Sequence, residues 1–152
     1  MKDEARKRFK RVFAEHAAEK RAETEATEAF KREAQAKRSV FLDRCGQVIS
    51  PTLDEFGKLI KEKGFDYEIV VQDDKIDKAA IQIQMWQQSS AGQYIKGAAQ
   101  TFRITWEAQD PDNVWVSHPS GPESQSANLP IKEITEDRLN TMLVSVLQNL
   151  LG

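Results

Sequence analysis

The stretch Ala79-Ala80-Ile81-Gln82-Ile83-Gln84-Met85-Trp86-Gln87 decides the fold of this chain. Ile81, Ile83 and Met85 alternate with Gln82, Gln84 and Trp86. Successive side chains of a strand point to opposite faces, so a period of two predicts a strand with one apolar and one polar face. The alternation returns over 101–108, with Phe102, Ile104 and Trp106 set against Arg103, Thr105 and Glu107. Two shorter runs flank this pair. Residues 67–72 are rich in β-branched side chains, and 114–118 turn Val114 and Val116 inward. Asp73-Asp74 suits the first turn. Asp110-Pro111-Asp112-Asn113 suits the last, with Pro at its second position and Asn113 suited to a positive φ. Residues 88–100 and 119–128 are rich in Ser, Gly, Gln and Pro and read as polar loops.

An antiparallel sheet with one apolar face needs cover on that face. Two helices supply it. Upstream, Phe41, Cys45, Val48, Ile49, Leu53, Phe56, Leu59 and Ile60 recur at three- and four-residue spacing, which gives an amphipathic helix. Ser50-Pro51 marks its start or a kink. Lys61-Glu62-Lys63-Gly64 ends it, with cations in the last turn and glycine for a left-handed cap. Downstream, Thr135 is an N-cap followed by Glu136 and Asp137, and Ile134 and Leu139 are placed to staple that end. Leu139, Met142, Leu143, Val146, Leu147 and Leu150 form its apolar face.

Residues 2–38 contain no Gly or Pro, nine alanines and many Glu, Lys and Arg, so they predict a long helix. Asp3–Lys7, Glu4–Arg8, Glu28–Arg32 and Glu33–Lys37 are spaced to pair along it. Its apolar stripe is thin, and Phe9, Phe13 and Phe30 are its anchors. No heptad seam runs through it. The predicted fold is therefore α+β: a long N-terminal helix, a second helix, a four-stranded antiparallel meander and a C-terminal helix, with the helices on one face of the sheet. Two regions follow, a charged helical arm over 1–38 and an α+β core domain over 39–152.

The arm carries twelve Lys/Arg and eight Asp/Glu, and the remainder ten and sixteen. A basic arm thus precedes an acidic body. Cys45 is the single cysteine, which excludes an intramolecular disulfide and favours a reducing compartment. No apolar run approaches the length of a membrane span, and Met-Lys-Asp-Glu-Ala-Arg lacks the apolar stretch of a secretory signal. The expected location is cytoplasmic, with no membrane association.

Catalytic and cofactor signatures are missing: no phosphate-binding glycine loop, no dinucleotide fingerprint, no nucleophile elbow and no zinc-protease motif. The chain is read as a non-enzyme that takes no cofactor and no metal. Cys45 and His118 make a formal nucleophile–base pair, but Cys45 lies on an apolar helix face and reads as a small core residue. His16 reads as a surface residue. Asp73, Asp74 and Asp77 lack the glycine and distal glutamate of a calcium loop and read as a hairpin turn. Arg6, Lys7, Arg8, Lys10 and Arg11 form a basic cluster that invites nucleic acid. On a helix, however, these cations spread around the axis, and the chain is acidic as a whole.

The polar face of the sheet is the more informative surface. It carries Gln82, Gln84, Trp86, Arg103, Thr105, Glu107 and Trp115. Tryptophan and arginine are enriched at interface hot spots, and large aromatics on a wet face call for cover. The arm with Phe9 and Phe13, a second copy of the chain, or another protein would provide it. The expected function is a self-associating protein-binding or assembly protein: an accessory subunit, chaperone-like or neutralising partner. Its binding residues would be Trp86, Trp115, Arg103, Gln84, Phe9 and Phe13. The alternatives are nucleic-acid binding through the basic cluster, and a small-ligand domain or cryptic enzyme.

Overall fold

A computed structural model describes residues 2–88, 99–120 and 123–151. The chain forms two compact units, Met1–Gln35 and Ala36–Gly152. The first is built from helix α1, which runs Asp3–Arg44 and continues into the second. Thr24 and Thr27 turn their hydroxyls back onto the Lys20 and Glu23 carbonyls, each at 2.9 Å. Glu28 meets Lys31 at 4.0 Å, one residue short of the predicted Arg32. Phe9, Phe13 and Phe30, expected to be buried anchors, are 53%, 72% and 54% exposed. Phe9 and Phe13 share a face only with Val12, and beyond these the stripe is filled by alanine and charge up to Phe30, so no continuous apolar face runs along the helix.

In the second unit the helical path does not break near residue 38. α1 reaches Arg44, a π-helical turn spans Cys45–Ile49, and α2 follows over Ser50–Lys61. Proline in a helix lacks the N–H its turn requires and crowds the carbonyl four residues back. Pro51 is accommodated by the wide turn before it, where the Ser50 N–H donates to the Cys45 carbonyl, five residues back. That turn also corrects phase. Phe41, Cys45, Ile49 and Leu53 are all buried and lie four residues apart. In an ideal α-helix each such step overshoots a full turn by about 40°. A turn that takes more residues brings the series back onto one face, which Phe56 and Ile60 extend.

Gly64 ends this path at φ +89°, the left-handed conformation predicted for it. The sheet then has five strands, not the expected four: β1 Phe65–Gln72, β2 Lys78–Gln87, β3 Gln100–Glu107, β4 Asn113–Ser120 and β5 Glu123–Pro130. They lie in chain order as an antiparallel meander. The fifth strand occupies most of the segment expected to be a loop. It is an edge strand whose Ser126, Ala127 and Asn128 are all exposed, so over these residues no burial imposes alternation on the sequence. Its pairing with β4 rests on the backbone ladder. Of the other expected loop, Gln88 donates its N–H to the Gly64 carbonyl at 2.9 Å and Gln100 opens β3. Residues 89–98 lie outside those described.

The 110–113 turn closes as expected, with the Asn113 N–H donating to the Asp110 carbonyl at 3.2 Å. Asn113 does not take a positive φ; it is already the first residue of β4. Its side chain and that of Asn128 both donate to the Asp110 carboxylate, at 2.8 and 3.0 Å.

Ile81, Ile83, Met85, Phe102, Ile104, Trp106, Val114 and Val116 are fully buried on one face, as the alternation predicts. α2 packs on β1 and β2, and helix α3, Glu136–Leu151, packs on β4. Thr135 caps α3 through its hydroxyl, which accepts from the Arg138 N–H at 3.2 Å, and Ile134 and Leu139 are both buried there. Gly57 allows close approach of α2: a Cβ there would lie 2.4 Å from the Tyr67 ring. The last turns of α1 are tied down by cations. Arg38 donates to the carbonyls of Asp73 and Lys75 in the β1–β2 turn. Lys37 pairs with Asp112 at 2.8 Å, and Arg44 donates to the Ile134 and Lys132 carbonyls at 2.8 and 3.0 Å.

Candidate binding face on the sheet

The register fixes which residues share the polar face. Paired residues of an antiparallel ladder point the same way. Across β1 to β5, Val70, Gln82, Arg103, Ser117 and Ser126 therefore form one row. Gln72, Ala80, Thr105, Trp115 and Asn128 form the next.

Arg103 is the centre of this face. Its Nη1 donates to Gln82 Oε1 at 2.7 Å, its Nη2 to Gln72 Oε1 at 2.9 Å and its Nε to Thr105 Oγ1 at 3.2 Å. All three acceptors are neutral. Among the described residues Arg103 forms no ion pair. The guanidinium is thus held in a fixed plane, with no carboxylate at ion-pair distance among the described residues. Beside it a cleft of about 210 Å³ is lined by Gln72, Asp74, Lys75, Lys78, Ala80 and Thr105. Lys78 reaches Glu107 at 3.9 Å.

Trp115 lies one row from Arg103, opposite Thr105, and is 46% exposed. Diagonal neighbours in a sheet have backbones about 7–8 Å apart, while the Arg103 side chain runs over β2 toward Gln72 of β1, so the guanidinium and the indole lie to either side of β3 on the same face. The structure separates the other predicted members of this face. Trp86 is 3% exposed and is not a wet aromatic. It sits six residues along β2 from Ala80, the position in the Trp115 row. At strand spacing that is about 20 Å, so the two tryptophans do not form one patch. Alternation puts both on the same face, but only the pairing register reveals the distance. Gln84 is half-buried opposite Glu68 and Thr101, one row beyond Arg103. Phe9 and Phe13 belong to the other compact unit and are exposed there, as are Arg6, Lys7, Arg8, Lys10 and Arg11. Gln72 and Thr105 complete the Arg103 cradle. By sequence Gln72 is only the end of a strand, because nothing in one strand's sequence says which side chain its neighbour will reach.

The reactive groups lie elsewhere. Cys45 is buried in the core, and burial pushes its thiol up to about 12, so at neutral pH it is the uncharged thiol rather than a nucleophilic thiolate. His118 stacks on Phe102 with ring centres 6.2 Å apart. His16 is exposed on α1. Asp73, Asp74 and Asp77 form the β1–β2 connection, where the Asp77 carbonyl accepts from the Ala108 N–H at 2.9 Å. Among the described residues no three His, Cys, Asp or Glu side chains gather as metal ligands. No helix among them is long and apolar enough to cross a membrane. No family model matches the chain, and no curated protein or solved structure is significantly similar to it.

Proposed function

We propose that this chain is a non-enzymatic protein-binding or assembly protein that holds another polypeptide, a second copy included, on the polar face of its sheet. One observation carries the reading: Trp115 stands 46% exposed on the same face as an arginine whose plane is fixed and which, among the described residues, hydrogen-bonds only neutral acceptors. Arg and Trp on one face of a rigid sheet are residue types enriched at interface hot spots. A large indole left half wet lends itself to burial by a partner. Phe9, Val12 and Phe13 give the helical arm a short exposed apolar stripe of its own, which supports self-association.

Sedimentation velocity of the full chain over a hundredfold concentration range tests this. The expected result is a species heavier than the monomer, which Trp115→Ser shifts toward monomer while circular dichroism stays unchanged. A monomer at every concentration that also selects no sequence from a random peptide display would overturn the reading.

A further inference from the structure

We infer that the Arg103 cleft takes a carboxylate side chain from an acidic segment of a partner protein, with a neighbouring apolar side chain of that segment on Trp115. The inference rests on the protein-binding reading above and adds the chemistry of what is bound. A guanidinium has five N–H donors. The three neutral acceptors use one on each nitrogen, which leaves one on Nη1 and one on Nη2. Planar, two-point donation from arginine suits a carboxylate, and a plane already fixed loses little freedom when the second partner arrives.

The surroundings favour the same sign. Lys75 and Lys78 line the cleft with Arg103, against Asp74 alone on the lining. Glu107 draws on Lys78 only at 3.9 Å, between side chains that are both substantially exposed. The rest of the domain is acidic, so this is a local positive spot on a negative body. Such a spot attracts an acidic segment, while the surrounding charge disfavours a long polyanion laid across the whole face. Trp115 then supplies the apolar contact that a free inorganic anion would not use.

Gln72 offers an internal control. It is exposed, and its Oε1 already lies 2.9 Å from Arg103 Nη2. Gln72→Glu places a carboxylate there without changing the shape of the side chain, and so supplies the missing counter-charge from within the chain. The full-length protein is titrated at low salt with a capped hexaglutamate peptide, with a capped hexaglutamine peptide, and with inorganic phosphate. The arginine Nε–H and tryptophan Nε1–H signals are followed by nuclear magnetic resonance. The expected result is saturable shifts at Arg103 and Trp115 with the glutamate peptide, none with the glutamine peptide, and at least tenfold weaker binding in Gln72→Glu. Arg103→Gln should abolish the shifts, and Gln72→Glu keeps the test valid should that variant fold poorly. Glutamate-peptide shifts that persist undiminished in Gln72→Glu overturn the inference. So do phosphate shifts at Arg103 as strong as those of the peptide without movement of Trp115, which would make the cleft a small-anion site. Conversion of an oligomer to monomer by Gln72→Glu, with no peptide bound, overturns it in favour of a second copy as occupant. Loss of assembly in Trp115→Ser but not in Gln72→Glu, again with no peptide bound, would leave the protein-binding reading standing and remove only the carboxylate.

Discussion

Trp106 and Trp115 occupy neighbouring strands of one sheet and face opposite ways. Trp106 is fully buried among Ile104, Phe102 and Val114 on the helix-covered side, with its Nε1 donating to the Pro111 carbonyl at 2.9 Å. Trp115 pairs with Thr105, the residue next to Trp106, and stands half in water. The two faces are built by different physics. One is specified by volume and exclusion of water, the other by hydrogen bonds that place an arginine. The first kind of order supports folding, and the second leaves room for another molecule.

The largest expected effect breaks this comparison directly. Trp106→Ala should destabilise the protein by about 3–5 kcal/mol, through lost burial and a cavity that its neighbours fill only partly. It also leaves the Pro111 carbonyl without its donor. Trp115→Ser should change stability by no more than about 0.5 kcal/mol, as for a surface site away from caps and buried networks. Urea unfolding of both variants is the check. Equal losses would mean that the outer face is as much a core as the inner one.

A smaller effect sharpens the comparison at the helix-covered side. Gly57 is there because the Tyr67 ring leaves no room for a Cβ, which would meet ring carbons at 2.4–2.5 Å. Alanine ordinarily favours a helix over glycine by about 1 kcal/mol. Here overpacking should win, and Gly57→Ala should destabilise by about 1–3 kcal/mol. Gly57→Ala in a Tyr67→Leu background should recover much of that loss. A stabilising Gly57→Ala in the wild-type background would show that the ring yields freely.

What the sequence disclosed follows the same division. The alternations in β2 and β3, the Gly64 cap and the Thr135 cap are all legible, because each is a local pattern with a local cause. β5 is not, since an edge strand whose Ser126, Ala127 and Asn128 are exposed carries no burial signal there and is held by its neighbour's backbone. Ser50-Pro51 signals a start or kink, while the wide turn that absorbs the proline and keeps the path continuous leaves no mark in residue type. On the candidate face, Arg103 and Trp115 are identifiable as residue types on one side of a sheet. Trp86 groups with them in sequence because alternation reports the face and not the distance along it. The role of Gln72 needs the pairing of β1 with β2 and the reach of an arginine from β3, which is tertiary information.

The smallest effect concerns a polar contact beside the buried face, where the two kinds of order meet. Asp54 on α2 receives hydrogen bonds from Lys58, at 3.1 Å, and from the Tyr67 hydroxyl, at 2.8 Å. First the Lys58 bond and then the Tyr67 bond hold its carboxyl below the ordinary value of 3.8. A lowered carboxyl contributes stability that is fully present above pH 3.8 and is lost as pH falls through the lowered value in the folded protein. Tyr67 has the opposite sign. Desolvation, followed by its bond to Asp54, raises it above 10.0, so its contribution is present below pH 10 and fades as pH rises through the raised value. Asp54→Asn should therefore flatten the acid limb of the stability profile below pH 3.8 and soften the alkaline limb above pH 10, with little change between them. Lys58→Gln should flatten the acid limb more than Tyr67→Phe does, because Lys58 is the larger cause of the shift. Only Tyr67→Phe should remove the tyrosine's part of the alkaline limb. Thermal melts across both limbs decide this. A Tyr67→Phe variant with the greater acid-side effect would mean that the neutral hydroxyl, more than the ammonium, holds the carboxylate, and that the edge of the buried layer is ordered by the same neutral hydrogen bonding that orders Arg103.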